Sequence, residues 1–144
     1  MNNLAMSDKQ SLGECLRFPS FIPKGWGYEQ VIVNNDMYAG KLLHFVAGKR
    51  CSIHYHKIKN ETFFLRNGHI EIYFYDDAEE LERILKKGKH SPHEIMEKFE
   101  LHPGHVFDVP VGRVHQMVAV QDSDLFEFST THFDSDSYRI IKGD

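Results

Sequence analysis

Hydrophobic and polar positions alternate over most of this chain. In "HIEIYFY", residues 69–75, Ile70, Ile72 and Phe74 share one face while His69, Glu71, Tyr73 and Tyr75 share the other. In "LFEFST", residues 125–130, Phe126 and Phe128 oppose Leu125, Glu127 and Ser129. A period of two marks a strand whose faces meet different surroundings. Comparable runs are "YEQVIVN", "KLLHFVA", "CSIHYHK", "ETFFLRN", "HVFDVP" and "VHQMVAV". All are rich in β-branched and aromatic residues and are separated by Gly, Asn, Asp and Pro. The pattern predicts many short strands.

One segment changes period. "DDAEELERILKKGKHSPHEIMEKF" spaces Ala78, Leu81, Ile84 and Leu85 as one helical face and places acids before bases. It predicts a surface helix over residues 77–87, closed by Gly88, with no chemistry of its own. His90 and His93 fall in the loop that follows. Residues 1–23 read as a polar arm with a short helix around Asp8–Leu16, and "FIPKGWGYEQ" as a turn-rich approach to the folded body. Residues 24–144 then form a single domain. Short strands with one helical insertion point to an all-β sandwich or barrel.

Composition narrows the function classes. A chain of 144 residues, 41% hydrophobic and 12% aromatic, can bury a core without staples. A net charge of −4 provides no basic field for nucleic acid and no patch for anionic lipid. No apolar run approaches the roughly 20 residues that span a bilayer. The N-terminus lacks the features of a secretion signal, so the expected location is cytoplasmic. Cys15 and Cys51 are then expected to be free thiols.

The chemistry lies with histidine, of which there are 10. In "CSIHYHKIKNE", His54 and His56 share one face of a strand, about 6.6 Å apart along the backbone. Glu61 opens the next strand after a tight turn, and "VPVGRVHQM" brings His115 onto a strand after a Pro–Gly turn. Three imidazoles and a carboxylate suit one divalent Fe, Mn, Ni, Co or Zn with positions left for water or substrate. The other histidines, including His44, His69, His102, His105 and His132, are expected at surfaces and turns.

The spacing of Gly48, His54, His56, Glu61 and Gly68 resembles the first cupin motif at every fixed position. Gly104, Pro110, Gly112 and His115 resemble the second, whose closing Asn is replaced by Ala119. The resemblance covers roughly residues 24–140. It implies a small double-stranded β-helix (jelly-roll) barrel, commonly a homodimer, with His54, His56, Glu61 and His115 holding a metal inside. Residues 15–35 are the expected source of dimer contacts.

Finer features resemble the cupin module of type II mannose-6-phosphate isomerases and related sugar-processing cupins. They are "PKGWGYE", Gly40-Lys41, Lys57 directly after the His-x-His, and Glu127, Asp134, Asp136 and Arg139 near the end. The resemblance implies a metal-dependent enzyme acting on a sugar or sugar phosphate, by aldose–ketose isomerisation. Glu127, a carboxylate between two phenylalanines on a strand, is the candidate general base. Lys41, Lys57 and Arg139 are candidate contacts to an anionic substrate. Two other readings remain open: a sugar- or small-ligand-binding module, and an Fe(II) dioxygenase using the same four ligands. Trp26 and Tyr28 are expected to cover one barrel end.

Overall fold

The computed structural model describes residues 16–144; the expected helix around Asp8–Leu16 and the thiol of Cys15 lie outside that range, apart from Leu16 itself. The chain order is β1 (Ser20–Lys24), β2 (Gly27–Asn34), β3 (Ala39–Phe45), β4 (Ile53–Tyr55), β5 (Glu61–Asn67) and β6 (Ile70–Tyr75). Two helices follow, α1 (Ala78–Lys86) and α2 (Pro92–Ile95). Then come β7 (Glu97–Leu101), β8 (Val106–Val109), β9 (Val114–Ala119), β10 (Ser123–Ser129) and β11 (Tyr138–Ile141).

The strands build two antiparallel sheets. The first runs β1-β2-β3-β10-β5-β8 and the second β11-β4-β9-β6-β7. Alternation decides what lies between them. Ile70, Ile72 and Phe74 turn inward from β6, as do Phe63 and Leu65 from β5 and Leu43 and Phe45 from β3. Leu125 and Glu127 are buried on β10, whereas Phe128 is 57% exposed. Trp26 is buried in the same core, its ring stacked 4.2 Å from Phe45. Tyr28 faces away from it, stacked on His44.

Strand β1 extends the folded body earlier than an arm ending at residue 23 allows. Its hairpin with β2 turns at Gly25 and Trp26, with Lys24 opposite Gly27. Gly27 has φ of +148°, and a Cβ there would lie 1.9 Å from the His44 carbonyl oxygen, so only glycine fits. The burial is light on β1, with Phe21 and Ile22 exposed, and its hydrophobic alternation is correspondingly weak. That is why the pattern alone reads as turn.

The helical insertion has a structural task. Asp77 caps α1, its carboxylate accepting the Glu80 N–H at 2.9 Å, and Gly88 closes it with φ of +67°. Fully buried Leu81 packs with Met96, Ile53 and Val114 in a second core. Ile53 and Val114 are neighbours in sequence of His54 and His115. The insertion therefore covers the outer face of β4 and β9 and commits the alternate residues of both strands to the barrel interior. Helix α2 was expected as loop; Ser91 and Glu94 form a reciprocal capping box around Pro92.

Cys51 is the one cysteine among the described residues, and burial pushes its thiol up to about 12. With Cys15 replaced by Ser, iodoacetamide at pH 8 should leave Cys51 unlabelled in the native protein and label it on unfolding in urea. Equal labelling rates in both states would contradict the packing described.

Candidate metal centre and its cavity

Each of the three motif histidines has its Nδ1 against a backbone carbonyl. His54 Nδ1 lies 3.0 Å from the Ser52 oxygen, His115 Nδ1 3.0 Å from the Arg113 oxygen, and His56 Nδ1 2.9 Å from the Asp136 oxygen. A carbonyl can only accept, so Nδ1 carries a proton in all three rings and Nε2 is the nitrogen each ring can offer to an ion. The Nε2 atoms of His56 and His115 are buried without a hydrogen-bond partner. A ligand nitrogen from each of the three rings lies within 4.8 Å of the others.

Strand pairing produces this convergence. His54 and His115 are directly opposite on β4 and β9. His56 follows β4 on the same face, and the chain then turns to start β5 with Glu61. Glu61 Oε1 sits 2.9 Å from His115 Nε2 and 3.6 Å from His56 Nε2. The four side chains fit a divalent transition metal: three rings oriented by hydrogen bonds at Nδ1, one carboxylate, and ring nitrogens gathered within reach of one ion. Burial, with the two neighbouring rings, holds His54 well below its ordinary pKa, and burial lowers His56 to about 4. Both therefore stay unprotonated near neutral pH, the form a metal requires.

Asp136 organises the loop that carries these ligands. Its buried carboxylate accepts the backbone N–H groups of Lys57, Ile58 and Lys59, while its carbonyl orients His56. Burial pushes its carboxyl up, but those three N–H groups outweigh it and the pKa falls.

The cavity beside these ligands measures about 610 Å³, within the range of small-molecule sites. Its inner wall is a cross-strand row in which Glu127 on β10 lies between Lys41 on β3 and Phe63 on β5. Lys59 was missed by the sequence reading. Its buried ammonium is 2.8 Å from Glu61 Oε2, outside hydrogen-bond alignment, and 3.3 Å from Glu127 Oε2. Burial would strip its proton, but the charges of Glu127 and Glu61 reverse that and raise its pKa. His132 also lines the cavity and contacts Lys59 at 3.3 Å. Lys59 lies two residues before Glu61 on the turn between ligand-bearing strands, but the contact that buries it is to Glu127, 68 positions away.

The three candidate substrate cations end up in different places. Lys41 is buried in the cavity wall, 3.5 Å from Glu29. Arg139 lines the cavity, and its residue is paired with His54 across β11 and β4. Lys57 does not line it. The chain turns after His56, and the Lys57 ammonium lies 4.3 Å over the Tyr138 ring on the outside.

Two antiparallel sheets enclosing His54 and His115 on paired strands, with His56 and Glu61 beside them, make this protein a cupin. Solved cupins share the fold at low identity. KdgF from Halomonas sp. superposes with a TM-score of 0.61 and 16% identity over 81% of this chain and 91% of its own. CapF from Staphylococcus aureus gives 0.68 and 17% over 90% of this chain, and oxalate decarboxylase from Bacillus subtilis 0.65 and 14% over 85%. This chain matches 34% of the CapF chain and 30% of the decarboxylase chain. No curated protein matches it. The chain belongs to the D-lyxose isomerase family, whose family model matches residues 26–139. Among the described residues no helix is long and apolar enough to cross a membrane.

The chelator-stripped protein should take up one tightly bound Mn, Fe, Co, Ni or Zn in the barrel and melt at a higher temperature with it. His54→Ala or His115→Ala should abolish that gain. Asp136→Ala should cost about 2–4 kcal/mol in urea unfolding, since it orphans buried N–H groups. It should also weaken metal binding at least about tenfold by freeing His56. An unchanged unfolding midpoint in Asp136→Ala would refute the role given to its carboxylate.

Proposed function

We propose that this protein is a metal-dependent isomerase interconverting an aldose and its ketose, with Glu127 as the proton carrier. The observation that carries the reading is the buried sequence of contacts from Glu61 through Lys59 to Glu127. It sets a carboxylate that need not bind metal beside one that does. An isomerase of this kind must lift a proton from one carbon and return it to the next. A metal bound by His54, His56, Glu61 and His115 would supply Lewis-acid polarisation of the carbonyl and its neighbouring hydroxyl.

Glu127 is suited to the proton transfer. Burial, then the charge of Glu61, raises its pKa, and Lys59 and Lys41 draw it back. A base tuned upward towards the working pH accepts and returns a proton with less mismatch than an ordinary glutamate. The Lys59 ammonium lies where it can donate a hydrogen bond to negative charge developing on a substrate oxygen. Trp26 and Phe63 give the cavity apolar wall against which a sugar can rest.

The cations favour a neutral sugar over a phosphorylated one. Lys24 and Lys41 both face Glu29, at 3.9 and 3.5 Å, and Lys59 is held by two carboxylates. Lys57 points away. Arg139 and Lys142 at the C-terminal side of the cavity are the cations left for a phosphate, and they support the mannose-6-phosphate-type alternative. D-lyxose, the pentose in the family's name, is accordingly the first aldose to test. The expected homodimer would form on the β1 edge, where Phe21 and Ile22 are exposed.

Metal-loaded wild type should convert D-lyxose or a related aldose, and in deuterated water should place deuterium at C1 or C2. Glu127→Gln should keep metal and sugar binding but lose about 10²-fold or more in turnover, together with the exchange. Exchange undiminished in Glu127→Gln would remove that residue from the role. Absence of both turnover and exchange in the wild type, across neutral and phosphorylated aldoses, would leave a sugar-binding module instead. Light scattering at micromolar concentration should give the dimer mass.

A further inference from the structure

We propose that His69, Glu100 and His102 form a second transition-metal site, of the zinc type, on the outer face of the barrel. One ligand atom from each lies within 4.8 Å of the others. The site is separate from the barrel centre. His69 immediately precedes β6 and points away from the face of Ile70, Ile72 and Phe74. His115, the nearest barrel ligand by register, is opposite Phe74. Five residues of strand, about 17 Å, and the thickness of the sheet separate the two.

Strand register brings the three residues together. Ile70 pairs with Leu101 and Glu71 with Glu100, so His69 and His102 stand opposite each other where β6 and β7 meet their turns. Their rings stack 4.5 Å apart. Glu100 Oε1 is 3.9 Å from His69 Nε2. Neighbouring charges leave Glu100 free for this: Lys98 turns to Glu71 at 3.6 Å, and Tyr73 donates to Glu71 at 3.2 Å.

Both histidine backbones are fixed before any ion arrives. The His69 N–H donates to Ser123 Oγ at 3.0 Å, and its carbonyl accepts from Val120 at 2.9 Å. The His102 N–H donates to His105 Nδ1 at 2.9 Å, and its carbonyl accepts from His105 at 3.0 Å. His105 thus positions His102 within the turn. The remaining observation points to a ligand directly: His69 Nε2 is buried without a hydrogen-bond partner. A buried ring nitrogen facing a carboxylate and a second imidazole is a half-built coordination shell.

The donor set selects the ion. Two imidazoles and one carboxylate suit Zn(II), with Co(II), Ni(II) and Cu(II) as chemical relatives, and disfavour Mg(II) and Ca(II), which demand oxygen. Zinc bonds of about 2.0–2.1 Å need donors about 3.4 Å apart. Glu100 and His102 are exposed, so their side chains have room to move towards that spacing. Bound there, zinc ties the edge strand β7 to β6.

Zinc titration calorimetry on the chelator-stripped full chain tests the site, using wild type, His54→Ala, His102→Ala and Glu100→Gln. A zinc equivalent should survive His54→Ala, disappear in His102→Ala, and weaken at least about tenfold in Glu100→Gln. His102 and Glu100 are exposed, so both variants should fold, and circular dichroism checks this. Zinc uptake identical in wild type, His102→Ala and Glu100→Gln overturns the site, whatever the barrel binds.

Discussion

The rest of the structure depends on one local arrangement: three imidazoles whose Nδ1 protons are claimed by backbone carbonyls. That choice turns the Nε2 atoms towards one another inside the barrel. The barrel thus buries hydrogen-bonding atoms that the protein itself does not satisfy, on His56, His115 and Glu61. Such atoms cost about 1–3 kcal/mol each when orphaned. A divalent ion held by these side chains would recover that loss. Stability and chemistry are therefore coupled at one point, and the surrounding elements can be understood by how they hold it.

Support comes from behind and from the side. Behind the metal strands, Leu81 and Met96 cover Ile53 and Val114, so neither β4 nor β9 can slip by one residue without exposing apolar surface and burying the wrong face. From the side, Asp136 gathers the turn after β4 and sets the angle of His56. In front, Lys59 keeps Glu61 and Glu127 close despite their like charge. A lysine between two buried carboxylates leaves the trio with a net negative charge, which a divalent cation next to Glu61 would offset.

Much of this was legible in the residues. Strict alternation in β6 and β10 separated the two faces, and Ile70, Ile72 and Phe74 of β6 and Leu125 and Glu127 of β10 are the ones that turn inward. The spacing of His54, His56 and Glu61 was legible because the turn between them is local, whereas their meeting with His115 depends on the pairing of β4 with β9. What escaped was set by distant contacts. Nothing local marks Lys59 in "KIKNE", and its burial depends on Glu127, 68 positions away. Lys57 seemed the better candidate because it adjoins His56. Strand β1 was obscured because its light burial leaves no alternation to read, and β7, with four of its five residues exposed, was hidden for the same reason. The short helix α2 had a readable capping signal in "SPHE", but four residues carry too little periodicity to stand out.

The hydrogen bond from His56 to the Asp136 carbonyl spans 80 positions, and β11 then pairs alongside β4. During synthesis the first motif emerges long before the segment that orients one of its ligands. A growing chain can display His54, His56 and Glu61 yet hold His56 in no fixed tautomer, so an ion met at that stage finds a loose and exchangeable set. The geometry that discriminates between ions forms only when residues 136–141 have docked. Selection among metals at this site would thus be a late event in the life of the chain.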